Sequence, residues 1–416
     1  MITQKYNQHK ETIHNFFWRA LQIMGKQGII FLIFIICAKL LTPFEFGVYN
    51  YVLAIVFFLI LFGDFGISTA TSKYVAEYNV TDKNKLKAVL FNSGLIILIL
   101  TILITILTLI FGKYFLGDKY TYVLYLLPLI FLAPMTSLYD GIYRGLKRFK
   151  ILAIISLIIG IISLSFVYIL IKQYGLIGAL WAQNIFYLLL LVGLGLGYRD
   201  CCFKINREVM KEIGKYSFII GIGMLGYYFY SRIDILFLGY YGFIEQINYF
   251  EIINKILMLF LIPFTIFGQV VSPNITSLYI KKDYTKIRAK FKKYLLLSFI
   301  FSLIAVIFIF LFSKILLSSF LTNYYNQAMI TIIYLMLIVF FTQFLNGVIP
   351  LMVAATGHAK LSTYFLIIFG IVHVILNYTF INSYGFIGIA YSIVITKVLC
   401  DLLFIYWYFR ILRNIK

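Results

Sequence analysis

Among the ionisable side chains inside the long apolar stretches of this 416-residue chain, Lys26, Asp64, Arg232, Asp234, Glu251, Lys255, Lys397 and Asp401 are the functional candidates. An ionised group in hydrocarbon costs at least ~2.5–3.5 kcal/mol, so each needs a partner or a function. Glu251 and Lys255, like Lys397 and Asp401, are four residues apart. That spacing puts each pair on one helix face within reach of an ion pair. Ion pairing is the plain reading of these four; the sharper one gives Glu251 and Asp401 a part in ion coupling. Arg232 and Asp234 are only two apart and turn toward different faces, and Lys26 has no acid within helical reach. Lys26 and Arg232 are therefore the leading candidates to line a water-filled cavity, with Asp234, Lys255 and Lys397 as neighbours.

Lys26 has polar company. Asn15, Arg19, Gln22 and Lys26 follow a spacing that forms one stripe on a helix. At 1.5 Å per residue Lys26 lies about 14 Å, and Arg232 about 24 Å, along its own apolar run. Cations at such depths suit a substrate carrying phosphate: Arg presents a planar fork to phosphate oxygens, and Lys a mobile point charge. Tyr227, Tyr228 and Tyr230 beside Arg232 can stack on a ligand's rings, although in a chain with 34 Tyr most serve as interfacial anchors. His373 can titrate near neutral pH and couple protons to transport, or simply hydrogen-bond a neighbouring helix. Asp64, between Gly63 and Phe65-Gly66, reads as a capping residue.

Other chemistries lack their residues. There is no phosphate-binding glycine loop, nucleophile constellation or metal-ligand spacing, so no cofactor, metal or enzymatic activity is expected. Cys37 and Cys400 fall in apolar runs and Cys201-Cys202 in a basic loop without matching ligands.

The elements that must carry these side chains are membrane spans. Hydrophobic residues make up 62% of the chain and charged residues 12%, a composition of polytopic membrane proteins. Apolar runs long enough to cross a bilayer fall at about 17–41, 47–70, 88–112, 122–143, 151–171, 176–197, 216–240, 247–277, 294–320, 327–353, 362–381 and 386–409. The expected fold is an all-α membrane protein of about twelve transmembrane helices.

The formal net charge of +21 would suggest nucleic acid in a soluble protein, but here its distribution follows the positive-inside rule. Basic residues crowd the N-terminal tail, alternate loops such as 144–150 and 281–293, and the C-terminus. The opposite loops and span ends hold only Lys39, Lys113, Lys119 and Lys172. Both termini are expected in the cytoplasm, and nucleic acid is not an expected partner.

The chain also repeats itself. Tyr174-Gly175-Leu176-Ile177-Gly178 returns as Tyr384-Gly385-Phe386-Ile387-Gly388, and the same offset aligns Gly160 with Gly370 and Tyr168 with Tyr378. Two parallel six-helix lobes, 1–200 and 201–416, are expected around a central cavity that opens alternately to either side. The repeated element falls in short outer turns, which makes it a sign of duplication rather than the site.

With this order of features the chain resembles the polysaccharide-type flippases of the multidrug/oligosaccharidyl-lipid/polysaccharide exporter superfamily. The resemblance rests on Pro43-Phe44-Glu45-Phe46-Gly47-Val48-Tyr49, on Asp64-Phe65-Gly66-Ile67-Ser68, and on Arg144-Gly145 followed by Lys147-Arg148-Phe149. Ser231-Arg232-Ile233-Asp234 and Pro273 extend it into the second half. Ile247 departs from the pattern, standing where these flippases often have Gly. Twelve spans, rather than the fourteen usual for lipid II flippases, imply export of O-antigen or another repeat unit in lipopolysaccharide or related polysaccharide biosynthesis.

The resemblance implies a polyprenyl-diphosphate-linked oligosaccharide as cargo, membrane lipids as surroundings, polysaccharide polymerase or ligase machinery as partners, and the bacterial inner membrane as location. A cation-coupled multidrug exporter of the same superfamily is the alternative, and it should show an unpaired acid in a span. A polymerase or ligase would need a large outer loop, which this chain lacks.

Overall fold

A computed structural model describes residues 2–198 and 205–414. The expected lobe boundary at 200/201 and Cys201-Cys202 lie outside the described residues. No strand occurs among the described residues, and the chain divides into two compact units, Met1–Met224 and Leu225–Lys416.

The first unit holds α1 (Ile2–Leu40), α2 (Pro43–Asp64), α3 (Ile67–Thr81), α4 (Lys83–Leu116), α5 (Tyr120–Tyr125), α6 (Leu127–Gly145), α7 (Phe149–Gly197) and most of α8 (Arg207–Ser231). The second holds the end of α8, then α9 (Ile233–Tyr240), α10 (Ile247–Ile280), α11 (Tyr284–Phe320), α12 (Gln327–Leu345), α13 (Ile349–Ala355), α14 (Ala359–Tyr384) and α15 (Phe386–Asn414).

Among the described residues nine helical segments are long and apolar enough to cross a membrane. The other expected spans take different forms. The 151–171 and 176–197 runs share α7, which breaks at Gly175 (φ 54°, ψ −130°). The 122–143 run is divided at Leu126 between α5 and α6, and 216–240 at Arg232 between α8 and α9.

The repeated element has the same local geometry both times. Gly385, between α14 and α15, has φ 60° and ψ −146°, close to Gly175. A β-carbon on Gly178 would sit 2.0 Å from the Leu170 carbonyl oxygen, and one on Gly388 2.1 Å from that of Phe380. Both halves use a left-handed glycine to reverse direction and a second glycine to let the returning helix touch backbone.

The flippase-like motifs have mechanical roles. Thr42 Oγ1 accepts from Glu45 N (3.3 Å) while Glu45 Oε2 accepts from Thr42 N (3.0 Å), and Pro43 occupies the first turn of α2. This reciprocal cap satisfies donors that lipid could not. At the other end of α2, Phe65 (φ 36°) and Gly66 (φ 81°) turn the chain. Asp64 then accepts from Ser68 N (2.8 Å) and Ser68 Oγ (2.7 Å), tying the two helices together as a cap.

The first unit packs around Ile67, Tyr78, Val89, Leu138, Tyr143 and Ile213. Apolar side chains are also exposed in each unit: Ile99, Ile102, Ile106 and Ile110 on α4 of the first, and Leu296, Ile300, Ile304 and Leu311 on α11 of the second. Such continuous apolar exposure suits contact with hydrocarbon. Hydroxyls on these helices bond inward along the backbone, Thr108 Oγ1 to Ile104 O (2.8 Å) and Ser302 Oγ to Ser298 O (2.7 Å).

Candidate functional site

Each unit contains a polar cluster at membrane depth. In the first, α1 and α6 supply it. Arg19 Nη1 donates to Gln22 Oε1, Gln22 Nε2 donates to Asp140 Oδ1 at 3.2 Å, and Asp140 Oδ2 takes an ion pair from Arg144 Nε at 2.7 Å. Gln22 is buried and Arg19, Asp140 and Arg144 are partly so. One guanidinium thus pairs with the carboxylate and the other reaches it through an amide, so two cations stand against one acid and the cluster is cationic. Asp140 was not legible as a site residue; its only sequence signal is the i,i+4 spacing to Arg144.

The stripe on α1 divides. Arg19 and Gln22 turn to Asp140, whereas Lys26, one turn further, is exposed and makes no hydrogen bond or ion pair among the described residues. Asn15's side chain lies outside the described residues. The Lys26 ammonium, free of a carboxylate at this depth, can take an anion.

The second unit gathers its cluster from α8, α9, α10, α12, α14 and α15. Arg232 sits at the break before α9 with non-helical φ −139° and ψ −10°. Its Nη1 donates to Glu251 Oε1 on α10. Glu251 therefore faces two cations: Arg232, nineteen residues back, which donates to it, and Lys255, its expected i,i+4 neighbour, which interacts with the same carboxylate electrostatically. The reason is the break at Arg232, which frees a long side chain from its helix and lets it reach across.

Asp234, Lys397 and Asp401 are buried. The Lys397 ammonium interacts electrostatically with both carboxylates, so its relation to Asp401 is shared with Asp234 and is not a simple pair along one helix. Asp401 Oδ1 accepts from Asn346 Nδ2 at 2.9 Å. His373 is fully buried, with Nδ1 3.2 Å from the Phe229 carbonyl oxygen. A carbonyl can only accept, so Nδ1 carries the hydrogen and Nε2 is an acceptor.

The tyrosines beside Arg232 depart from expectation. Tyr228 and Tyr230 are packed inside, and only Tyr227, 58% exposed, has a face available for a ring. Two of the three are unsuited to stacking on a sugar because α8 turns them into protein. No group of three or more His, Cys, Asp or Glu among the described residues is placed to hold a metal ion.

Comparison with known proteins agrees with this architecture. The family model described as "Polysaccharide biosynthesis protein" matches residues 12–279, and the MatE model matches residues 220–379. An uncharacterized membrane protein of Methanocaldococcus jannaschii is 25% identical over 94% of this chain and 96% of its own.

Among solved structures, the inward-facing conformation of a multidrug resistance MATE family transporter of the MOP superfamily superposes with a TM-score of 0.80 at 17% identity, covering 95% of this chain and 98% of that one. A MOP superfamily transporter from Pyrococcus furiosus, whose binding pocket is described as reversed in polarity, superposes with a TM-score of 0.67 at 18% identity, covering 98% of this chain and 96% of that one. With the family model spanning well over half its length, this chain belongs to the polysaccharide biosynthesis protein family, and it shares its multi-pass helical fold with transporters of the MOP superfamily.

Proposed function

We propose that this protein flips polyprenyl-diphosphate-linked oligosaccharide repeat units, of the O-antigen kind, from the cytoplasmic to the outer leaflet of the cytoplasmic membrane by alternating access. Both termini would face the cytoplasm, where the basic loops belong. The observation that carries this reading is the cationic surplus of the first unit: Arg144 pairs with the single carboxylate of Asp140, Arg19 reaches it only through Gln22, and Lys26 stands unpaired. A diphosphate needs such cations to leave water, and its glycan needs hydrogen-bonding side chains such as Gln22. Polymerase or ligase machinery outside would consume the product.

A multidrug exporter is the second reading, favoured by the MatE match to residues 220–379. Such a transporter would select organic cations with an available acid. The acids of the second unit are instead buried with cations of the protein's own, Glu251 with Arg232 and Asp234 and Asp401 with Lys397, which supports the anionic cargo. Proteoliposomes carrying a fluorescent polyprenyl-diphosphate sugar separate the two. Transport of that lipid, weakened by Lys26→Ala, is the expected result. Export of a cationic dye with no lipid movement would overturn the proposal.

A further inference from the structure

The second unit holds a concentration of buried polar atoms without partners. Ten buried side-chain N and O atoms among the described residues lack a hydrogen-bond partner, and all except those of Gln27 and Asn184 belong to α9, the end of α12, α14 and α15. They include Asp234 Oδ1, Asp401 Oδ2, His373 Nε2, both polar atoms of Asn377, and the hydroxyls of Ser392 and Thr396. His373 and Asn377 lie one turn apart on α14, and Ser392 and Thr396 one turn apart on α15. Most of these atoms are acceptors or hydroxyls, the donor set that surrounds a monovalent cation.

A cation is already there. Lys397 follows Thr396 directly, is 5% exposed, and interacts with Asp234 foremost and Asp401 next, against repulsion from Arg232. The charge count closes with it: Arg232, Lys255 and Lys397 stand against Asp234, Glu251 and Asp401. A dissolved cation added to that set would leave uncompensated positive charge inside the membrane, where it is costly. The space beside Lys397 is small, about 10 Å³, and is walled by Phe250, Asn254, Leu257, Met336 and Phe340 and by none of the unpartnered groups. That is room for no more than about one water.

We infer that the Lys397 ammonium is the resident cation of this cluster, standing where a dissolved monovalent cation would otherwise neutralise Asp234 and Asp401, and that Lys397 thereby sets the ion specificity of the second unit. The inference is independent of the cargo. Three N–H donors on a flexible stem can serve several of the unpartnered acceptors in turn, which no fixed side chain could do. Removing the ammonium leaves two buried carboxylates without their cation, in a unit where other buried oxygens also lack partners, and so creates a site for sodium.

The test is thermal unfolding of the purified full-length protein in detergent at constant ionic strength, in sodium, potassium and N-methylglucamine chlorides. The wild type is expected to melt at the same temperature in all three. Lys397→Ala is expected to melt several degrees lower in N-methylglucamine and to recover with sodium along a saturating curve. Sodium stabilising the wild type as much as the variant would overturn the inference, as would a folded Lys397→Ala protein indifferent to every cation. Should that variant not fold, Asp234→Asn combined with Lys397→Gln removes one charge of each sign. It is expected to fold and to ignore sodium, and its failure to fold would equally overturn the inference.

Discussion

The guanidinium of Arg232 donates to the carboxylate of Glu251 nineteen residues away, joining the break between α8 and α9 to the helix that follows. Glu251 is buried while the Arg232 side chain keeps 40% of its surface exposed. The pair thus runs from the interior of the second unit to its surface, and it holds a backbone interruption that hydrogen bonds within the helix do not span.

Removing Glu251 should therefore cost stability. Glu251→Ala leaves Arg232 and Lys255 without their shared carboxylate, and a loss of about 1–3 kcal/mol is expected for a buried partner removed alone. Arg232→Ala should cost a similar amount, and the double variant less than the sum. A double-mutant cycle on the detergent-solubilised protein, read by denaturation, should return a coupling of at least about 0.5 kcal/mol.

The paired glycines make a second prediction. A methyl group on Gly178 or Gly388 would press into a backbone carbonyl of its own unit, at 2.0 Å and 2.1 Å. Each Gly→Ala change should destabilise by about 1–3 kcal/mol, as overpacking does. Gly28, which has nothing within 4 Å of its would-be β-carbon, should tolerate Ala and serves as the control. Melting temperatures of the three variants check this.

Transport should depend on Lys26 without stability doing so. Lys26 is exposed and makes no bond that folding would lose. A charge-assisted hydrogen bond to phosphate is worth about 1.5–3 kcal/mol, so Lys26→Ala should weaken lipid-diphosphate binding by roughly tenfold or more. Lys26→Arg should retain most of it. Binding of a fluorescent polyprenyl diphosphate, measured beside an unchanged melting curve, decides the point.

A pH effect is expected at the start of α11. Asp283 caps this helix, accepting from Lys286 N at 3.2 Å, and its carboxylate pairs with Lys286 Nζ at 2.8 Å. The Lys286 side chain chiefly, with Thr285, holds the Asp283 carboxyl down at about 2. A carboxyl depressed below its unfolded value of about 3.9 supports the fold above that pH and loses its effect as pH falls through about 2. Amide exchange at Lys286 should accelerate over that window in the wild type. In Asp283→Asn, which keeps a capping oxygen, exchange should show no such step.

Much of this was written along the chain. Apolar runs with alternating loop charges identified a multi-pass helical protein, because lipid demands length and the membrane sorts charge. The duplicated Tyr-Gly-x-Ile-Gly and the capping role of Asp64 were legible because each is local: a few residues meet whatever the rest of the fold does.

What the tertiary structure alone decided is who meets whom across helices. The i,i+4 spacing of Glu251 and Lys255 pointed to a local pair, and the break at Arg232 brought a second cation to the same carboxylate. Arg19 and Gln22 gave no hint of Asp140, 118 residues beyond Gln22. Tyr228 and Tyr230 went inward although Tyr227 did not. In runs apolar on every side, periodicity says nothing of which face turns toward protein. Helix rotation and backbone breaks therefore fixed the charge partners, and these emerge only when the helices pack.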